Sequence, residues 1–272
     1  MAKPAPSFEE FVRMRVVQPR RQDSPPRVRR DFVYKVAGTT ELTMDVYLPA
    51  AAVGRPPVVV MIHGGPVPPG KNAKNMGIFL SYGELLADAG LAAVTFGHRF
   101  VSPESLEDAG ADVEEAVRQV RSNAEAFGLD ADRMALWAFS GGGPFLSVAL
   151  RRPAPYVRAL VAYYAALDLQ QPAPGSTARI GDDTRRAYSP LFHVSEALGP
   201  LPSLLVARAG QDHPFLNATI ERFVQAALAK NVDLDVLNHP AGRHGFDILD
   251  DDDRSREIIG RTLEFLRARL RA

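Results

Sequence analysis

Short apolar runs alternate with longer amphipathic segments along most of the chain, as is typical of strands and helices that follow one another in turn. Six apolar runs predict buried strands, at residues 56–65, 91–97, 133–139, 157–165, 202–210 and 232–238. Apolar residues spaced three or four apart predict helices, at residues 113–127, 217–230 and 259–270. This alternation predicts an α/β fold with a mainly parallel sheet and helices on both of its faces.

The first fifty residues follow a different pattern. Residues 31–49 alternate between apolar and polar positions around a turn at Gly38, which predicts a β-hairpin. Residues 1–30 are rich in Pro and Arg; they permit a short helix in F-E-E-F-V-R-M-R-V, and the rest is typical of an extended, solvated or subunit-packing arm. Because no repeat or linker follows, the sequence predicts an N-terminal arm at residues 1–30 and one domain at residues 31–272.

Composition and charge limit the range of partners. Lys and Arg number 32, and so do Asp and Glu, so the net charge of zero gives no electrostatic reason to expect nucleic acid or an anionic membrane. The absence of cysteine excludes disulfides, thiolate nucleophiles and zinc–thiolate sites. We expect a cytoplasmic protein, because no apolar run could span a bilayer and the N-terminal stretch lacks the apolar core of a signal peptide. A homo-oligomer is left open.

The stretch A-L-W-A-F-S-G-G-G-P points to a nucleophile. Ser140 lies where a predicted strand ends, and parallel sheets bind ligands beyond such ends. A sharp turn from strand to helix would strain the serine backbone and expose its hydroxyl, and the small residues Ala138 and Gly142 leave room for that turn. These are the features of the nucleophile elbow G-x-S-x-G, with alanine at the first position. The alternative is a glycine-rich turn with an incidental serine.

A serine nucleophile needs a general base and a carboxylate that orients the base. Asp212 directly follows a predicted strand, and His244 lies in the loop between the last strand and the last helix. Their order along the chain and their positions near strand ends agree with a triad of Ser140, Asp212 and His244. Asp182, Asp183 and Asp247 are weaker candidates for the acid because they do not directly follow a strand end. His239 and His213 are the weaker candidates for the base.

Three glycines and several aromatic residues complete the predicted site. The backbone N–H of Gly141, together with that of Gly64 or Gly65 in the loop H-G-G-P, could bind an oxyanion. Candidate pocket residues, each of which could equally belong to the core, are Phe139, Tyr164, Phe192, Phe246 and His98. The acidic run at residues 250–253 is interpreted as the start of a helix, so no metal site is predicted.

The motifs V-V-V-M-I-H-G-G, A-F-S-G-G, R-A-G-Q-D-H-P and H-G-F together resemble the α/β-hydrolase superfamily, especially its dienelactone-hydrolase-like and small serine esterase branches. The resemblance runs from about residue 31 to the C-terminus. It implies the α/β-hydrolase fold, with a mostly parallel eight-stranded sheet, and ester hydrolysis through an acyl-enzyme without a cofactor. Dienelactone hydrolases use a cysteine nucleophile, which this chain lacks. The Pro- and Gly-rich insert at residues 168–200 is short, so no large cap domain is expected.

The sequence therefore predicts a serine hydrolase that cleaves a small carboxylic ester. The same groups could cleave an amide, which would make the protein a peptidase or amidase. A non-catalytic ligand-binding protein on the same fold is the alternative from another class. The acyl group, the alcohol and the role of the N-terminal arm are left open by the sequence.

Overall fold

Eight strands form one sheet in a computed structural model that describes residues 7–22, 24–52, 54–68, 70–172 and 175–271. The strands are β1 Arg27–Ala37, β2 Thr40–Leu48, β3 Pro57–Ile62, β4 Ala92–Phe96, β5 Asp130–Phe139, β6 Val157–Tyr163, β7 Ser203–Ala209 and β8 Leu234–His239. Their order across the sheet is β1-β2-β4-β3-β5-β6-β7-β8. The strands from β4 to β8 in that order pair in parallel, whereas β1 and β2 join the sheet as an antiparallel hairpin.

Helices follow most of the strands. The α-helices in the described residues are α1 Phe8–Arg13, α2 Gly77–Asp88, α3 Leu106–Ser122, α4 Ala124–Phe127, α5 Ser147–Leu150, α6 Asp182–Ala187, α7 Pro190–Ser195, α8 Pro214–Ala229, α9 Phe246–Leu249 and α10 Asp253–Arg269. Short 3₁₀ segments lie at Ala73–Asn75, Pro103–Ser105 and Ser140–Leu146. None of the helices in the described part of the chain is long and apolar enough to cross a membrane.

The core has two halves, one on each face of the sheet. Successive residues of β3 alternate between them: Val58 and Val60 pack with α3 and α8, and Val59 and Met61 pack with α2 and α10. This alternation follows from the strand geometry, in which neighbouring side chains point to opposite faces. The predicted parallel sheet with helices on both faces is thereby confirmed.

Some boundaries differ from those predicted. Strand β1 begins at Arg27, so the predicted domain boundary at residue 31 falls inside a strand; residues 1–6 and 23 of the predicted arm lie outside the described residues. The helix predicted to run to residue 127 is interrupted at Asn123, whose Nδ2 donates to the carbonyl oxygen of Gln119 at 3.0 Å.

The segment between β6 and β7 is small, as expected. Its described residues contain only the six-residue helices α6 and α7, so they form no large cap over the strand ends. The edge of the sheet where the parallel strands end is therefore left accessible to the loops that carry the candidate site.

Candidate active site

Ser140 occupies a tight turn between β5 and the 3₁₀ segment Ser140–Leu146. Its φ angle of 51° lies in the left-handed region, where a non-glycine residue costs about 1–3 kcal/mol. A Cβ on Gly142 would lie 2.6 Å from the carbonyl oxygen of His63, so this position requires glycine. The structure has the strained serine turn that the motif predicts, although the chain becomes α-helical only at Ser147.

Three side chains from separate loops form one hydrogen-bonded chain. The hydroxyl of Ser140 donates to Nε2 of His244 at 2.8 Å, and Nδ1 of His244 donates to Oδ2 of Asp212 at 2.7 Å. The side chain of Asp212 is 5% exposed, whereas that of His244 is 41% exposed. The structure thus brings together the three residues predicted as a triad, with the carboxylate shielded and the imidazole open to solvent.

Backbone contacts join the loop that carries the carboxylate to the loop that carries the imidazole. The N–H of Gln211 donates to the carbonyl oxygen of Gly242 at 2.9 Å. A Cβ on Gly210 would lie 2.2 Å from the carbonyl oxygen of Pro240, so glycine permits this close approach. The spacing of the two functional side chains is therefore set by main-chain packing rather than by the side chains alone.

Two buried histidines support the loop H-G-G-P. The rings of His63 and His98 stack with centroids 3.5 Å apart and planes 1° from parallel. Nδ1 of His63 donates to the carbonyl oxygen of Gly64 at 2.6 Å, and Nε2 of His63 accepts from the backbone N–H of His98 at 3.3 Å. Burial lowers the pKa of His63 to about 4, so the ring is neutral at pH 7 and can accept that bond.

The loop and the serine turn lie in direct backbone contact. A Cβ on Gly64 would lie 2.9 Å from Cβ of Ser140, and one on Gly141 would lie 2.4 Å from the carbonyl oxygen of Gly65. All three glycines predicted to border the oxyanion therefore lie close to Ser140, and a larger residue at Gly64 or Gly141 would force the two segments apart.

A buried carboxylate lies beneath the imidazole. Asp247 is fully buried and accepts hydrogen bonds from the hydroxyls of Tyr82 and Tyr164, each at 2.7 Å. Burial raises the pKa of Asp247 to about 6, against the opposing effect of the two hydroxyl donors. The ring centroid of Tyr164 lies 4.8 Å from that of His244. Sequence reasoning considered Asp247 only as a weaker triad acid and missed this cluster; the neighbouring motif H-G-F-D was the available signal.

An apolar cavity of about 160 Å³ opens beside Ser140. Phe139 and Tyr164 line it, as predicted. The prediction is wrong for Phe246, which is fully buried behind Tyr164 with the two ring centroids 5.6 Å apart, and for Phe192 on α7, which does not line the cavity.

His98 does not line this cavity either. It is 7% exposed and stacks behind the H-G-G-P loop, so its ring supports that loop instead of contacting the cavity. The large apolar wall residues that sequence reasoning missed come from α1, from α2 and its N-cap, and from α9: they are Phe11, Met76, Ile78, Phe79 and Ile248.

The acidic run before α10 serves the helix. The side chain of Asp252 accepts from the backbone N–H of Ser255 at 2.8 Å, which is an N-cap interaction. Within the described part of the chain, no group of three or more His, Cys, Asp or Glu residues is arranged to hold a metal ion.

Comparison with protein families and curated sequences gives a partial match. The BD-FAE family model matches residues 44–150, a stretch that includes the H-G-G-P loop and Ser140 but ends before Asp212 and His244. No curated protein matches the chain.

Solved structures resemble the chain over nearly its whole length. Esterase Est2 of the planctomycete Thermogutta terrifontis superposes with a TM-score of 0.71 at 22% identity, covering 90% of this chain and 92% of that one. An arylesterase gives a TM-score of 0.75 at 19% identity, covering 97% and 90%. Carboxyl esterase 2 of the fungus Tuber melanosporum gives 0.70 at 18% identity, covering 93% and 90%.

Proposed function

We propose that this chain, which has the α/β-hydrolase fold of these structures, is a serine hydrolase that cleaves a small carboxylic ester through an acyl-enzyme. The observation that carries the proposal is the continuous hydrogen-bonded chain from Asp212 through His244 to Ser140. The order Ser, Asp, His along the sequence is that of α/β-hydrolases. The assignment to the dienelactone-hydrolase-like branch stays a prediction.

In the first half of the reaction, Oγ of Ser140 attacks the ester carbonyl carbon while Nε2 of His244 takes its proton. Asp212 holds the imidazole in the tautomer with a proton on Nδ1 and stabilises the imidazolium that forms. The tetrahedral intermediate then collapses, His244 donates its proton to the leaving alkoxide, and the alcohol departs. The acyl group remains as an ester on Oγ of Ser140.

The backbone orientation favours Gly65 over Gly64 as the second oxyanion donor. The carbonyl of Gly64 is turned toward the buried ring of His63, which donates to it at 2.6 Å. In a planar trans peptide the following N–H points the opposite way, so the N–H of Gly65 is directed away from that ring. Together with the N–H of Gly141 at the serine turn, it would stabilise the charge that develops on the carbonyl oxygen.

In the second half, water attacks the acyl-enzyme with His244 as the base. The exposed face of His244, 41% accessible, lets the alcohol leave and water approach without a large conformational change. His244 takes a proton from the attacking water and then donates it to Oγ of Ser140 as the bond between the acyl carbon and Oγ breaks, which releases the carboxylic acid.

The ester is favoured over the amide by the solved structures that share the fold. The Thermogutta and Tuber proteins and the arylesterase are all named as esterases, and Thermogutta terrifontis esterase 2 is also described phosphoramylated by tabun and phosphorylated by paraoxon. An assembled triad also argues against a purely ligand-binding role. A cytoplasmic location and a homo-oligomeric state stay predictions.

Paired substrates test the proposed reaction. We expect the protein to hydrolyse p-nitrophenyl acetate or butyrate and to leave the matched p-nitroanilides nearly untouched. The variant Ser140→Ala serves as the control for contaminating esterases. Faster cleavage of the anilides would favour the peptidase or amidase, and a folded protein inactive on both series would favour the ligand-binding protein.

A further inference from the structure

The cavity beside Ser140 is apolar almost throughout. Among the described residues that line it, the only polar side chains are Ser140, His244 and Tyr164. The first two bond to each other, and the hydroxyl of Tyr164 is engaged by Asp247 at 2.7 Å. The rest of the wall offers a substrate no side chain for a hydrogen bond, so the cavity fits an uncharged hydrocarbon group. Its volume of about 160 Å³ is close to that of an engineered cavity of about 150 Å³ that binds benzene.

One side of this cavity is built by the N-terminal segment. Phe11, on α1, lines the cavity and packs against the core half that contains α2 and α10. Helix α1 begins with a capping box in which the N–H of Glu10 donates to Oγ of Ser7 at 3.3 Å and the N–H of Ser7 donates to Oε2 of Glu10 at 2.8 Å. A helix of six residues is not stable alone, so its position depends on how the neighbouring segment is anchored.

The residues after α1 tie the segment to α2. Val16 is buried, and its N–H donates to Oγ of Ser81 at 3.0 Å. Arg20 forms an ion pair with Asp88 at 2.8 Å. A Cβ on Gly77, at the start of α2, would lie 2.5 Å from the carbonyl oxygen of Arg13, so the absence of a side chain there lets α1 approach.

The same segment also contacts the loop that carries the catalytic base. The N–H of Val17 donates to the carbonyl oxygen of Asp247 at 2.8 Å, three residues beyond His244. The segment therefore contacts both α2 and α9, the two helices that line the cavity together with Phe11. A solvated tail would not bury Val16, and it would not need a glycine at position 77 to let α1 pack closely.

We propose that residues 7–22 position Phe11 in the wall of the acyl pocket and that Phe11 is a specificity-determining residue, limiting the acyl group to short or aryl chains. The inference rests on the proposed ester hydrolysis. The acyl group is assigned to the cavity because the alcohol must leave, and water must enter, past the exposed face of His244. The acyl group stays bound to Ser140 while the alcohol is replaced by water, and the apolar cavity beside Ser140 is suited to hold it.

Substitution of Phe11 tests this assignment with two series of esters. One series varies the acyl chain of p-nitrophenyl esters from acetate to octanoate, and the other varies the alcohol of acetate esters. For Phe11→Ala we expect the ratio of kcat/KM for octanoate to that for acetate to rise roughly tenfold or more, since the added methylenes gain burial. For Phe11→Trp we expect the ratio to fall. The alcohol series should keep its wild-type profile in both variants.

The matched control is Phe192→Ala, which removes another half-buried phenylalanine that does not line the cavity and should leave the acyl profile unchanged. An unchanged acyl profile in both Phe11 variants would overturn the inference, and so would a change confined to the alcohol series. Should the wild type hydrolyse no ester, the proposed function fails separately. The rates at which methyl and octyl fluorophosphonates modify Ser140 then give the same comparison without turnover.

Discussion

The catalytic floor and the apolar wall of the cavity lie side by side, yet they are held in place by different means. The floor is fixed by backbone contacts and by two hydrogen bonds, and its residues are Ser140, Gly141, Gly142, Asp212 and His244. The wall is fixed by side-chain packing, and its residues are Phe11, Met76, Ile78, Phe79 and Ile248. A backbone contact allows almost no change of residue, whereas packed side chains allow graded changes of size. The floor should therefore determine whether the protein is active, and the wall should determine which esters it hydrolyses.

The largest effect is expected at the nucleophile. Ser140→Ala should lower kcat by about 10⁴-fold or more, because the general base then has no hydroxyl to activate. Ser140→Gly should be equally inactive but more stable than Ser140→Ala by about 1 kcal/mol, because glycine adopts a positive φ without strain. Ester turnover and urea unfolding measure the two effects. Equal stability of both variants would show that the backbone strain at φ 51° is not maintained in solution.

The next effect concerns the buried carboxyl group under the floor. The pKa of Asp247 is raised from 3.8 to about 6, so its protonation stabilises the folded state fully below about pH 4, and this stabilisation is lost as the pH rises through 6. Relative to Asp247→Asn, which cannot ionise, the wild type should lose about 3 kcal/mol of unfolding free energy between about pH 3 and about pH 7. Urea unfolding of both proteins at several pH values measures the difference, since the contributions of all other titrating groups are the same in the wild type and the variant and cancel. A difference independent of pH would contradict the raised pKa.

A smaller effect is expected from crowding at the floor. Gly142→Ala should destabilise the protein by about 1–3 kcal/mol and reduce turnover, because its Cβ would lie 2.6 Å from the carbonyl oxygen of His63. The matched control is Gly260→Ala in α10, where a Cβ meets nothing within 4 Å; it should stabilise the helix by up to about 1 kcal/mol. Thermal unfolding measures the Tm of both variants. A shift of both Tm values in the same direction would contradict the prediction that crowding at Gly142 is specific to that position.

The smallest effect is expected at the wall. Met76→Leu nearly conserves volume, so it should change the unfolding free energy by less than about 1.5 kcal/mol and leave ester turnover in place. The acyl-chain profile of p-nitrophenyl esters should move by only a few-fold. A loss of turnover comparable with that of a floor variant would show that the wall is not a separate, tolerant region.

The sequence predicts the floor well because each part of it follows a strand end. Ser140 directly follows β5, Asp212 follows β7, and His244 follows β8, so position along the chain is enough to bring them to one edge of the sheet. The glycines are predictable for a related reason: a backbone that approaches another backbone leaves no room for a side chain.

The wall is harder to predict because its residues come from elements far apart in sequence. Periodicity identifies the buried face of a helix or strand, but not which neighbouring element the face meets. The aromatic character of Phe246 and Phe192 suggests pocket residues, yet Phe246 lies in the core and Phe192 lies on α7, away from the cavity lining. The charged and Pro-rich composition of residues 1–30 concealed the burial of Val16 and, with it, the place of Phe11 at the cavity.

The most direct test of the catalytic floor is whether Ser140 is an activated nucleophile. The full-length protein is incubated with a fluorophosphonate, its intact mass is measured, and the modified peptide is located by mass spectrometry. We expect one adduct per chain, on Ser140, and none on Ser140→Ala. A folded wild-type protein that stays unmodified, or is modified at another residue, would contradict an assembled Ser140–His244–Asp212 triad.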